Sequence, residues 1–241
     1  MSHLHVPDGI MPFYVWFGGY VLTFVIIFII TKKLIVNETR KKIPYTGVAA
    51  ALMLITMSIP LGIIPVHLGL ATLTGILVGP SLGFLAVFVV NMLLAFIGHG
   101  GLTVVGLNTL VIGLELVIGV YVFRFLVKKY STSLSASVGT ALAILVSLAF
   151  MFGIVGNAVG FVETIPHHHN EHNEVENGES IQEETFAEAV SEVKYFIFTG
   201  WTALVLIFAA GILVEVLITI GIIRFFMNVR PDIIKSSHRF T

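Results

Sequence analysis

Four histidines lie in short stretches whose other residues would let a backbone wrap around an ion. His3 and His5 are in MSHLHVPDGIMP, His67 is in IIPVHLGL and His99 is in FIGHGGL. Imidazole is the commonest nitrogen donor to late divalent first-row cations. A segment near an amino terminus adds a free amine, and peptide nitrogens that can lose their protons to Ni²⁺ or Cu²⁺. Such donors favour square-planar geometry. Met-Ser-His is the amine-X-X-imidazole chelate. Without Met1, Ser-His still offers amine, amide nitrogen and imidazole. Pro7 fixes φ and Gly9 permits a sharp turn, so the segment can fold back. Asp8 can anchor that turn or orient a histidine, or cap the helix that follows. Gly98, Gly100 and Gly101 let a loop pass close to an ion, and Thr103 and Asn108 can hydrogen-bond that loop. Spacing alone leaves a plainer alternative for each: solvated terminal histidines, helix-end imidazoles and a glycine-rich connector.

The elements that must bring these residues together are membrane helices. The chain has 241 residues, 56% hydrophobic and 11% charged, with a mean hydropathy of +0.99. Soluble domains carry about 25% charged residues, and several apolar runs here reach the ~20 residues that cross a bilayer as helix. A net charge of −1 makes nucleic acid an unsuitable partner, and the absence of cysteine excludes disulfides and thiolate metal sites. No Lys or Arg precedes Lys32, so the start does not read as a secretory signal peptide. The predicted spans are Met11–Val36, Tyr45–Val66, Leu68–Val78, Ser81–Ile97, Leu102–Leu126, Leu134–Val159 and Tyr195–Met227. Residues 163–192, ETIPHHHNEHNEVENGESIQEETFAEAVSE, form an acidic, His-rich insert without Lys or Arg, too polar to pack a core. Its His167, His168, His169 and His172 could scavenge metal weakly or be solvated loop.

Twelve of the 13 Lys and Arg fall into three clusters. Lys32, Lys33, Arg40, Lys41 and Lys42 follow the first span. Arg124, Lys128 and Lys129 follow the one starting at Leu102, and Arg224, Arg230, Lys235 and Arg239 follow the last. The positive-inside tendency puts all three in the cytoplasm, with the amino terminus and the insert outside. That orientation demands an even number of crossings between Leu68 and Gly98. The turn belongs at Gly79-Pro80, because proline disfavours helix at the residue before it. The short helix before it rises only ~17 Å and must be shielded by neighbours or border a cavity. The expected fold is therefore an all-α integral membrane protein of seven helices, a single domain over residues 1–241, with His3, His5, His67 and His99 on the outer face. Residues 1–10 are its candidate metal-binding segment.

LHVPDGIMP, PVHLGLATLTGILVGP and GHGGLTVVGLN, in that order, resemble the marks of the cobalt/nickel substrate-specificity subunits of energy-coupling-factor (ECF) transporters. The likeness covers roughly Leu4–Arg124. It implies a six-helix core with an extra amino-terminal helix, and Co²⁺ or Ni²⁺ as transported substrate. It also implies that the first histidine of the family motif and a histidine after the second helix bind one ion; by register these are His5 and His67. Here Met1-Ser2-His3 precede the position where the family begins. Either His3 takes over the terminal register, or both imidazoles bind, or the chain starts at Leu4 through a non-standard start codon. His99 is placed beside the ion rather than on it. The stretch IPYTGVAAALML resembles the small-residue face used against the transmembrane coupling subunit, with Gly47 and Ala51 allowing close approach. The implied partners are ATPase subunits, that coupling subunit and an optional small accessory membrane subunit, all at the plasma membrane.

One pattern lies outside the resemblance. LELVIGVYVFR (Leu114–Arg124) and VEVLITIGIIR (Val214–Arg224) each carry a glutamate nine residues before an arginine. Glu115 and Glu215 then lie at similar depth, ~13 Å inside the boundary. Buried ionisable residues are costly and often functional; these would serve as a cation relay or as protonated carboxyls bridging helices. Three function classes follow. The first is a metal-capture subunit without ATPase activity, since the chain has no phosphate-loop motif and no Gly-Lys pair. The second is a proton-coupled secondary metal transporter using Glu115 and Glu215. A membrane metallopeptidase, the third, lacks the His-Glu-x-x-His pattern.

Overall fold

The computed structural model describes residues 8–9, 11–34, 36–59, 67–159, 194–195, 198–232 and 234. Among these residues the chain forms seven helices: α1 (Phe13–Lys33), α2 (Val36–Ser58), α3 (Ala71–Val78), α4 (Pro80–Phe96), α5 (Val105–Leu126), α6 (Thr132–Val159) and α7 (Gly200–Val229). A minimal antiparallel hairpin, Lys194–Tyr195 with Phe198–Thr199, leads into α7. Four helices, α1, α5, α6 and α7, are long and apolar enough to cross a membrane, and α4 is a shorter apolar helix. The chain is a multi-pass membrane protein, with each helix closing its own backbone hydrogen bonds as hydrocarbon requires.

The boundaries of the second and third helices differ from those expected. The second helix begins at Val36, not Tyr45, running straight through Pro44. Proline there removes one backbone donor, and the neighbouring Thr46 hydroxyl donates to the Lys42 carbonyl at 3.0 Å. The helix also stops at Ser58, well short of Val66. Ile59 precedes Pro60, and a residue before proline is pushed out of the helical region. His67 therefore does not end the second helix; it belongs to the segment His67–Leu70 that enters α3. The third helix is shorter than expected for a related reason. Leu70 adopts a left-handed conformation, φ +52°, so helix begins only at Ala71.

Helix α3 is the centre of the packing. Eight residues rise only ~12 Å, too short to cross a bilayer, and all but Leu77 are buried. Glycine makes the enclosure possible. A methyl on Gly75 would collide with Val120 and Leu116 of α5, and one on Gly119 would collide with Thr72. Gly79, φ +92°, then turns the chain directly into Pro80 at the start of α4. Phe84 of α4 lies against Gly113 of α5, and Met53, Met57, Leu73, Ile76, Leu116 and Phe123 close the core around this hairpin.

Helix α1 is peripheral: only Gly19 and Thr23 are buried. It is held to α5 by backbone proximity. A Cβ on Gly106 would lie 2.6 Å from the Tyr20 amide nitrogen. The Thr23 hydroxyl donates to the Gly106 carbonyl at 2.9 Å, and the Tyr20 hydroxyl donates to the Leu102 carbonyl. The obstacle at Gly106 is backbone and cannot rotate away. Gly106→Leu is expected to lever α1 off α5 and destabilise the protein by about 1–3 kcal/mol. Denaturant or thermal unfolding in detergent measures this, with Gly153→Leu, at a position open within 4 Å, as the matched control.

Candidate functional site

One end of the bundle gathers the described histidines. The His67 and His99 rings meet edge to face with centroids 4.7 Å apart. They come from different elements: His67 leads into α3, and His99 sits on the turn after α4. That turn uses positive φ at Gly98 (+83°) and Gly100 (+105°), conformations open to glycine at no steric cost. His3 and His5 lie outside the described residues, as do the insert and its histidines. Among the described residues no group of three or more His, Asp or Glu is assembled. What the structure brings together is an imidazole pair.

Asp8 ties the chain's start to the same place. Its carboxylate accepts from the Leu102 amide at 2.9 Å and the Thr103 amide at 2.7 Å, and from the Thr103 hydroxyl at 2.5 Å. Asp8 therefore caps the GHGGLT loop and not the helix that follows it in sequence. A side chain on Gly101 would collide with Asp8, which is why a glycine sits there. The Thr103 hydroxyl holds the Asp8 carboxyl below its usual value against the opposing effect of burial, with the Thr103 and Leu102 amides adding to the lowering. Three residues of chain extend at most about 11 Å, so His5 is tethered within that reach of Asp8. Asn108 is buried on the first turn of α5 beneath the loop.

The loop bearing His67 has its own anchor, which the sequence pattern did not point to. Glu215, fully buried on α7, accepts from the Leu70 amide at 2.8 Å and the Gly69 amide at 3.2 Å. Those are among the amides that would otherwise be orphaned at the start of α3. Glu215 thus fixes the backbone two and three residues after His67. Glu115 is also fully buried, on α5. The nine-residue spacing to arginine is shared, but Glu215 serves a loop that a sequence pattern within one helix does not reveal.

The opposite end is basic. Lys33, Lys42 and Arg124 line one cavity together with Gly79 and Pro80. Nearby elements end the same way: Arg224 donates to the Ser133 hydroxyl at 3.1 Å, and Arg230 lies 6.0 Å from the Tyr45 ring centroid. The Gly79-Pro80 turn therefore lies with the basic clusters, as the parity argument required. Gly47 and Ala51 are exposed on α2, with Ile43 and Ile55 on the same face.

A family profile described as the cobalt uptake substrate-specific transmembrane region matches residues 5–233. No curated protein matches the chain in sequence. Two solved structures share its fold. One, a crystal structure of a truncated transition metal transporter, superposes with a TM-score of 0.66 at 18% identity, covering 93% of this chain and 99% of that one. Another, a crystal structure of a transition metal transporter, gives 0.66 at 18%, covering 98% and 99%.

The Asp8 latch sets a pH expectation. Its folded pKa lies below the ordinary 3.8, so the latch contributes fully above about pH 4 and is lost as pH falls through the lowered value. Amide exchange at Leu102 and Thr103 should stay protected, after correction for intrinsic rates, from pH 5 to 8. Asp8→Asn should remove that protection across the range, because its amide group cannot accept from all three donors.

Proposed function

Because the chain belongs to the cobalt uptake substrate-specific transmembrane family, we propose that it is the substrate-binding component of an ECF-type importer. In this reading it captures Co²⁺ or Ni²⁺ at the outer face and hands it inward when partner subunits hydrolyse ATP. The observation that carries the reading is the convergence of His67 and His99, rings 4.7 Å apart, on the end to which Asp8 ties the amino-terminal segment. His67 and a terminal histidine, His5 or His3, bind the ion, and His99 packs against His67 and orients it. Peptide nitrogens and the amine of the terminal segment complete a donor set suited to nickel or cobalt. In this reading the histidine end faces outside. The basic end lies in the cytoplasm by the positive-inside tendency.

The partner contacts follow from the same layout. The exposed stripe Ile43, Gly47, Ala51 and Ile55 on α2 is a face on which a coupling subunit's helix can approach closely. ATP is bound by the ATPase subunits, not by this chain. A relay through Glu215 is the weaker reading. Its carboxylate is engaged with the backbone of the His67 segment, and its role is to hold that imidazole in place.

Metal titration calorimetry on the purified chain tests the proposal. His67→Ala should reduce Ni²⁺ or Co²⁺ affinity by more than about 100-fold. Deleting residues 167–172 should leave it within about twofold. Glu215→Leu, acting on the loop beyond the ligand, should cost about 10–100-fold, the range seen for groups that orient metal ligands. Wild-type titration curves for His67→Ala would overturn the site. Rapid metal uptake by this chain alone in proteoliposomes would overturn the dependence on ATPase partners.

A further inference from the structure

The basic end carries a second cavity system unconnected with the histidines. A pocket of about 330 Å³ is lined by Lys33, Thr39 and Lys42, by Ser81 at the start of α4, and by Tyr121 and Arg124 of α5. Three cations and three hydroxyls thus face one space. The first turn of the 17-residue α4, Pro80 onward, also opens into it, adding the positive end of a helix dipole.

This pocket does not stand alone. A groove of about 440 Å³ shares Pro80, Ser81 and Tyr121 with it, and from there every other wall is apolar. Leu22, Ile26 and Ile30 of α1 form one side; Leu114 and Val117 of α5 and Phe150 of α6 form the other. Its origin lies in how α1 packs. Backbone proximity at Gly19 and Gly106 holds α1 against α5 towards the histidine end. Over the following turns, Leu22 to Ile30, the two helices part and leave the groove between them. Leu22, Tyr121 and Phe150 are all substantially exposed, so the groove opens to the surrounding bilayer.

The geometry points to a binding site for one anionic phospholipid, its phosphate headgroup in the Lys33–Lys42–Arg124 pocket and an acyl chain in the groove between α1 and α5. Both halves argue for this occupant. Cationic pockets between membrane helices suit anionic headgroups, and the apolar volume falls within the ~300–1,000 Å³ of ordinary ligand sites. A free phosphate satisfies the pocket but leaves the groove without a role; a zwitterionic lipid fills the groove but brings a further cation to a pocket already lined by three. The site needs only that the basic end lie at a headgroup region. It is independent of which ion the histidine end binds.

Native mass spectrometry of the purified chain, with added phosphatidylglycerol or phosphatidylcholine, tests both halves. The wild type should retain one phosphatidylglycerol at least tenfold more tightly than phosphatidylcholine. Lys33→Gln with Lys42→Gln and Arg124→Gln should abolish that preference, and Ile26→Trp, which fills the groove, should weaken retention of phosphatidylglycerol about tenfold. If the triple variant does not fold, Lys33→Gln with Lys42→Gln reads the same headgroup preference. Millimolar inorganic phosphate should compete weakly. Equal retention of the two lipids, or an unchanged preference after charge removal, overturns the headgroup site. Displacement of the lipid by millimolar phosphate, with Ile26→Trp behaving as wild type, reduces the site to one for a free anion and overturns the proposal.

Discussion

A buried carboxylate that reaches across the bundle to two backbone amides sets the geometry of the histidine end. Glu215 on α7 holds the Gly69 and Leu70 amides in an interior where an unsatisfied N–H would cost about 1–3 kcal/mol. That arrangement draws residues 68–70 out of the helix they would otherwise join and leaves Leu70 with positive φ. It also shortens α3 to eight residues. A helix this short cannot meet lipid at both ends, so α2, α4 and α5 must wall it in. The glycines at 75, 83 and 119 are the places where that wall closes. The position of His67 is a consequence of this packing, not of the end of a transmembrane helix.

A second anchor completes the arrangement from the opposite direction in the chain. Asp8 grips the loop after His99 through two amides and a hydroxyl, and α1 follows it down the side of α5. The amino-terminal segment, the His99 loop and the His67 segment are thus fixed by contacts more than 90 residues apart in sequence. Each anchor is a carboxylate accepting backbone N–H groups. Both act on the loops that carry the two imidazoles.

This explains which parts could be read from residues alone. The membrane class, the helix count and the turn at Gly79-Pro80 follow from composition, apolar run length and the parity set by three basic clusters. All are local or global properties that need no knowledge of packing. The convergence of His67 and His99 on one end followed from the same parity. Their ring contact did not, because it depends on where α3 begins. The role of Glu215 was hidden for the same reason. Its partners lie about 145 residues away, beyond the reach of any pattern within one helix. Helix α2 starts nine residues before the expected Tyr45 and runs through Pro44, since a membrane helix can carry a proline when neighbours take over the freed carbonyl groups.

The two ends are separated by a closely packed interior. Between the imidazole pair and the basic cavity lie Leu73, Ile76, Leu116, Val120 and Phe123, each no more than 1% exposed. Glycine contacts there leave no room for a methyl group. Thr72, Thr109, Glu115 and Thr140 are buried in this otherwise apolar interior, and moving a bare cation unaccompanied into low dielectric is prohibitive. Because the His67 segment is bonded directly to α7, a displacement of α7 by as little as ~1 Å would stretch bonds of 2.8 and 3.2 Å beyond useful length. The rigidity that shapes the site thus also supplies a means of undoing it.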